Sequence, residues 1–213
     1  MAETKGSGRL LAIGDIHGCR DQLQALLAQV KPQPGDQLVF LGDYIDRGPH
    51  SKEVVDLVLS LRQRCPNCIF LKGNHEAMLE DYLVRGEQLQ FLRSGGDATL
   101  ASYGATGAAE IPQSHREFFN NLRLYYQTDH FIFVHAGLRP GVPLAGQREQ
   151  DLLWIREEFL SSGYDWGKTV VFGHTPRTSP LLTPTRIGLD TGAVYGGRLS
   201  CCEVRSGLLW QAP

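Results

Sequence analysis

The sequence predicts an α/β fold in which parallel strands carry helices packed against them. Three observations point there. Short apolar runs recur along the chain and stop at glycine-containing polar words. Amphipathic helical stripes follow the first three runs. Those three strand–loop–helix units come in direct succession, the pattern of parallel pairing with covering helices.

The first run is Arg9–Ile13, ending at Gly14. Leu23, Leu26, Leu27 and Val30 then recur at helical spacing, and Pro32 and Pro34 end that helix. Gln37–Leu41 reads as the second strand, followed by a helix striped by Val54, Leu57, Val58 and Leu61, with Ser51 as its N-cap. Ile69–Leu71 is the third strand, and Leu79, Tyr82 and Leu83 carry a third helix to Gly86. Residues 94–107 read as loop with one short helix. Phe131–Val134 and Thr169–Phe172 are further strands, residues 137–147 a Gly/Pro-rich loop, and the chain from about Arg186 a β meander.

At 213 residues the chain fits one ordinary domain spanning 1–213, with residues 1–8 as a flexible lead. A formal charge of −2 lacks the basic excess of a nucleic-acid partner, and no apolar run approaches the ~20 residues of a membrane span. The opening MAETKGSG lacks the apolar segment of a signal peptide. Five cysteines, an odd number, do not form a disulfide framework, so a reducing cytoplasm is expected. Cys65-Pro-Asn-Cys68 is a lone CxxC with no second ligand pair apart from Cys201-Cys202, and it reads as a turn before the third strand.

The chemistry lies in five words, each placed where an apolar strand ends: Gly14-Asp-Ile-His-Gly18, Gly42-Asp-Tyr-Ile-Asp-Arg-Gly48, Gly73-Asn-His-Glu76, His135-Ala-Gly137 and Gly173-His-Thr175. Ligands of open α/β sheets bind beyond the carboxyl ends of the strands, so these words should converge. Imidazole, carboxylate and amide oxygen together suit divalent transition metals. More ligands are on offer than one ion needs, which points to two ions, about 3.5–4 Å apart when a carboxylate bridges them. Asp and Asn are common in turns for local reasons. A fixed four-residue word such as GNHE, however, arises by chance only roughly 10⁻³ times in this length, and here it stands in an ordered set.

GDIHG, GDYIDRG, GNHE, HAG and GHT in this order resemble the phosphoprotein phosphatase family of metallophosphoesterases. The likeness continues through Leu153-Trp-Ile-Arg-Glu157, Phe172–Pro176 and Leu189-Asp-Thr-Gly-Ala-Val194, and it is strongest to the small bacterial and phage branch typified by bacteriophage lambda phosphatase. The resemblance covers residues 9–205. It implies a calcineurin-like sandwich of two mixed β-sheets flanked by helices. It further implies two divalent ions, manganese first, with iron, zinc, cobalt, nickel or magnesium as alternatives. Asp15 and His17 would bind one ion, Asp43 would bridge, and Asn74, His135 and His174 would complete the second. His75 would be the general acid, hydrogen-bonded by Asp46, while Arg47 and Arg156 would hold phosphoryl oxygens in planar guanidinium forks. Hydroxide on the ions would attack phosphorus. A carboxylate beside an imidazole favours the protonated ring that can donate.

The activity so implied is that of a phosphomonoesterase acting on phosphorylated protein or peptide, phosphoserine and phosphothreonine first and phosphotyrosine next. The alternative is a diadenosine polyphosphate hydrolase on the same metal motifs. Asp46 in the DRG word and Glu76 after the histidine are read as favouring the phosphoprotein. A second alternative is a non-catalytic interaction module, which the completeness of the motif set argues against. His50, His115 and His130 lie outside the words and read as ordinary surface or boundary histidines. Tyr195 with Gly196-Gly197, and Ser94-Gly95-Gly96, are read either as edges of the cleft or as simple turns.

Overall fold

Each of the early runs has both faces apolar, and the computed structural model, which describes residues 8–213, shows why. In chain order the first elements are β1 (Leu10–Ile13), α1 (Arg20–Val30), β2 (Gln37–Phe40), α2 (Ser51–Arg64), β3 (Cys68–Phe70), α3 (Asn74–Arg85), α4 (Gln88–Phe91) and, after a π turn at Leu92–Gly96, α5 (Asp97–Tyr103). There follow α6 (Gln113–Asn120), β4 (Tyr125–Gln127), β5 (Phe131–Val134), α7 (Glu149–Trp154), α8 (Glu157–Leu160), β6 (Thr169–Phe172), β7 (Leu181–Leu182), β8 (Arg186–Gly188), β9 (Leu199–Glu203) and β10 (Leu208–Ala212).

Two five-stranded mixed sheets result, ordered β10-β9-β1-β2-β3 and β4-β5-β6-β8-β7. β1, β2 and β3 pair in parallel, with Leu11 opposite Leu38 and Val39 opposite Ile69. Side chains alternate across a strand. Leu11, Ile13, Leu38 and Phe40 accordingly face α1 and α2 through Leu23, Leu26, Val54 and Val58. Leu10, Ala12, Val39 and Leu41 turn the other way, onto Phe133, Val171 and Ile187 of the second sheet. That sheet's outer face, Ile132, Val134, Val170 and Phe172, is covered by Leu152, Ile155 and Phe159. The layers are therefore helix, sheet, sheet, helix, as the family resemblance implies. Among the described residues no helix is long and apolar enough to cross a membrane.

Two local readings change. The C-terminal meander is two separate pieces: β8 joins the second sheet parallel to β6, while β9 and β10 form a hairpin on the first sheet, antiparallel to β1. Residues 189–198 are thus a crossover between sheets. The short helix expected within 94–107 is α5, reached through a kink where Gly95 takes φ 100. Ser51 is the first residue of α2 rather than its cap, and its hydroxyl accepts the Asp46 N–H at 3.1 Å. The expected flexible lead falls, apart from Gly8, outside the described residues.

A buried carboxylate ties the start of the first sheet together. Asp36 Oδ1 accepts the Arg9 backbone N–H (2.9 Å), and Oδ2 accepts the Gln33 N–H (2.8 Å) and the Arg9 guanidinium (2.6 Å). Burial alone raises the Asp36 carboxyl, but the bonds from Arg9 and Gln33 outweigh it and leave it lowered. A lowered carboxyl supports the fold above its unfolded value of 3.8 and loses that support as pH falls through the folded value. Asp36→Ala should therefore cost about 1–3 kcal/mol in urea unfolding at pH 7, and the deficit should shrink as the pH drops below 3.8. A deficit that does not change with pH would remove the ionised carboxylate from this account.

Candidate active site and metal centre

The carboxyl ends of β1, β2, β3, β5 and β6 lie along one edge of the two sheets, and the five polar words meet there. Asp15, His17, Asp43, Asp46, Asn74, His75, His135 and His174 are all buried. Arg47 and Arg156 are exposed at its rim. The backbone is held under strain to achieve this. His17, Asp43, Asp46, Arg47 and His174 all have positive φ, between 47 and 72. Lys31 is the one other non-glycine in that region among the described residues. Such conformations cost roughly 1 kcal/mol or more each and cluster where function demands them.

Asp43 is the centre. Its Oδ2 lies 3.3 Å from His17 Nε2 and 4.0 Å from His75 Nε2, and its Oδ1 lies 3.5 Å from His135 Nε2. Ligand atoms within 4.8 Å of one another form two sets, His17–Asp43–His75 and Asp43–His135–His174, and Asp43 belongs to both. Asn74 Oδ1 sits between His135 Nε2 (2.9 Å) and His174 Nδ1 (3.0 Å). Asp15 accepts the His174 backbone N–H at 2.9 Å, which ties the first word to the last.

The donor set fits divalent cations. His17 Nδ1 meets the Ile45 carbonyl at 2.9 Å and His135 Nδ1 meets the Leu41 carbonyl at 2.8 Å, so each ring turns its Nε2 inward. The inward lone pair of His135 then faces an acceptor, Asn74 Oδ1, an arrangement that a cation relieves. Burial works against the Asp43 charge, yet His135, His75 and His17 outweigh it and hold this carboxyl well below the usual range. Asp15 moves the opposite way, raised by burial and then by its neighbours Asp190 and Asp43. Burial, then His135, drives His174 down to about 2, which keeps that ring neutral as a ligand must be.

His75 belongs to the first of these sets, but its ring is held by a carboxylate rather than by a backbone carbonyl. Its Nδ1 is 2.7 Å from Asp46 Oδ2, which leaves Nε2 facing Asp43 and the cavity. Asp46 is itself pinned: Thr99 Oγ1 donates to its Oδ1 at 2.6 Å, and its N–H bonds Thr99 Oγ1 at 2.8 Å. The two arginines flank the centre. Arg47 Nη1 lies 2.7 Å from His17 Nε2, and Arg156 Nε donates to His174 Nε2 at 3.1 Å.

The supporting roles of three residues escaped the sequence reading. Glu76 does not face the cavity. Its carboxylate accepts the N–H groups of Asp43 (2.9 Å), Tyr44 (2.8 Å) and Gly73 (2.9 Å), shaping the loop that carries Asp43. Burial, then Asp43, lifts its carboxyl to about 8. An acid at the third helical position, reaching back to the residue before the helix, is a known capping signal and was readable. Asp190 accepts the Gly192 N–H at 3.0 Å and bears on Asp15 through charge. Thr99 had no readable signal, lying 53 residues from its partner.

The calcineurin-like phosphoesterase family profile matches residues 8–199. The chain is a calcineurin-like phosphoesterase. Among relatives of this phosphoesterase is an asymmetrical bis(5′-nucleosyl)-tetraphosphatase PrpE of Halalkalibacterium halodurans, 30% identical over 88% of this chain and 87% of that protein. A solved structure described as a candidate diadenosine tetraphosphatase superposes with TM-score 0.78 at 30% identity, covering 100% of this chain and 96% of that one. A cold-active protein tyrosine phosphatase shares the fold, with TM-score 0.71 at 18% identity over 96% and 78% of the two chains.

The CPNC word, His115 and the SGG segment of this calcineurin-like phosphoesterase serve its structure. All five cysteines are free, and the Cys68 N–H bonds the Cys65 carbonyl at 3.3 Å, the turn expected for CPNC. Burial pushes the Cys68 thiol up to about 12, far from a thiolate. His115, read as a surface or boundary residue, is buried and joins Asp56 (3.0 Å) to Tyr103 (2.8 Å). Gly95 accepts the Arg47 N–H at 3.0 Å, so the SGG segment buttresses that arginine. Gly73 and Gly173 leave room for the acids: a Cβ at either would stand 2.0 Å from Asp43 Oδ1 or Asp15 Oδ1. That Cβ at residue 73 would also stand 2.5 Å from the Asp43 backbone nitrogen, so Gly73→Ala should displace the Asp43 loop and bind metal roughly tenfold or more weakly by titration calorimetry. Unchanged affinity would show that the Asp43 loop has slack.

Proposed function

We propose that this phosphoesterase hydrolyses dinucleoside polyphosphates, cleaving diadenosine tetraphosphate asymmetrically to ATP and AMP. One observation carries this reading: 30% identity sustained over 88% of the chain to a relative that bears that name. The ranking from sequence put phosphoprotein first on the family resemblance, with Asp46 and Glu76 counted in its favour over the dinucleotide. Both are buried, one against His75 and the other against the Asp43 loop, so any bearing they have on substrate acts through those groups rather than by direct exposure.

Asp15, His17, Asp43, Asn74, His135 and His174 would hold two divalent ions, which when bound would activate water and neutralise charge on the reacting phosphoryl group. Arg47 and Arg156, on opposite rims, are suited to grip non-bridging oxygens of a polyphosphate. A water oxygen forms a bond to phosphorus as the bridging P–O bond breaks. His75, steadied through Nδ1 by Asp46, has Nε2 free to give a proton to the departing oxygen.

The test compares kcat/KM on diadenosine tetraphosphate with that on phosphoserine and phosphothreonine peptides, in manganese. The dinucleotide should be favoured at least tenfold. A faster peptide would restore the protein-phosphatase reading. Failure on both, and on para-nitrophenyl phosphate across a panel of divalent metals, would leave only an interaction module on this fold.

A further inference from the structure

The crossover between the sheets puts one aromatic ring at the mouth of the centre. Tyr195 closes a 3-10 turn, Ala193–Tyr195, and is 63% exposed. Arg47 lies over it, its Cζ 5.5 Å from the ring centroid. The same guanidinium reaches His17 Nε2 at 2.7 Å. Tyr195 is thus one side chain removed from an expected metal ligand, on the outer side of an arginine suited to phosphoryl oxygens.

The turn is fastened at several points. Asp190 Oδ1 accepts the Gly192 N–H at 3.0 Å, and the Gly192 carbonyl accepts the N–H groups of Tyr195 and Gly197, each at 2.9 Å. Gln22 of α1 donates to the Gly197 carbonyl at 3.3 Å. Gly196 takes φ 82, and a Cβ at Gly197 would stand 2.1 Å from the Thr191 carbonyl oxygen, so the turn needs this glycine pair. Exposed aromatic residues are common singly, and exposure alone carries nothing. A ring on a pinned backbone loses little conformational freedom on binding, and this one is already aligned with a guanidinium.

We propose that Tyr195, backed by Arg47, is a stacking platform for the nucleobase of a nucleotide whose phosphate Arg47 holds. The inference rests on, and deepens, the dinucleotide reading. Every base offers a π-face, so the platform favours nucleotides over phosphopeptides without choosing one base over another.

Calorimetric titration of the manganese-loaded protein with AMP and with ribose 5-phosphate isolates the base. The wild type should bind AMP roughly tenfold or more tightly than ribose 5-phosphate, the usual scale of a base–aromatic stack. Tyr195→Ala should abolish that difference while leaving ribose 5-phosphate unaffected, and Tyr195→Phe should keep it. The proposal is overturned if the wild type shows no base-dependent gain, or if the gain survives in Tyr195→Ala. It is equally overturned if Tyr195→Ala weakens both ligands alike, because the ring would then act only by placing Arg47. Should the base-dependent gain hold while phosphopeptides are hydrolysed faster than diadenosine tetraphosphate, the dinucleotide reading falls and the platform stands.

Discussion

His75→Ala should lower kcat on an alkyl phosphate monoester by roughly 10²–10⁴-fold, the usual loss on removing a general acid, and should leave the metal content unchanged. The reason is geometric. Nδ1 is occupied by Asp46 at 2.7 Å, and the ring is buried, so Nε2 is the atom presented to a leaving oxygen. An alkoxide needs the proton more than para-nitrophenolate does, so the loss should be markedly smaller on para-nitrophenyl phosphate. Diadenosine tetraphosphate, whose leaving group is a phosphate oxygen, should resemble the second ester. Equal losses on all three, accompanied by a fall in bound metal, would make His75 a ligand, an outcome its place in the His17–Asp43–His75 set leaves testable. Asp46→Asn should reproduce part of the loss with metal retained, because Thr99 would still hold the side chain while the charge beside His75 is gone.

Asp43→Asn is expected to have the other large effect. One carboxylate faces His17 at 3.3 Å through one oxygen and His135 at 3.5 Å through the other. Three imidazoles hold it well below the usual carboxylate range, so it carries its charge at any working pH. Neutralising it removes the anion common to both ligand sets. Elemental analysis should find both ions depleted, and activity should fall by at least 10³-fold, on the scale of losing the electrostatic centre of a hydrolytic site. The fold should persist, because Glu76 continues to accept the N–H groups of residue 43 and of Tyr44. Retention of two ions in the variant would contradict the bridging role.

Much of this site was legible because its chemistry is local. Each expected ligand lies within two residues of a glycine at the end of an apolar run, so the words can be read without knowing the fold. The parallel order of β1, β2 and β3 was legible for a similar reason, since each strand is followed at once by its own amphipathic helix. What was missed depends on partners distant in sequence. Thr99 looks like an ordinary helix residue until the fold brings it to Asp46, 53 residues away. Three residues, Arg186–Gly188, make β8, and nothing so short announces which sheet it joins. His115 looked like a surface residue because its partners, Asp56 and Tyr103, lie on two other helices. Glu76 was visible and misjudged. Its residue type was weighed as a clue to substrate, whereas its position at the third residue of α3 made it a cap whose bonds reach the Asp43 loop.

The site is expected to hold a pair of ions shared across one carboxylate, and anomalous diffraction from crystals grown in manganese would locate both. Two peaks about 3.5–4 Å apart should flank Asp43. Asp15 and His17 should lie on one side, and Asn74, His135 and His174 on the other. A single peak, or peaks away from Asp43, would contradict the account.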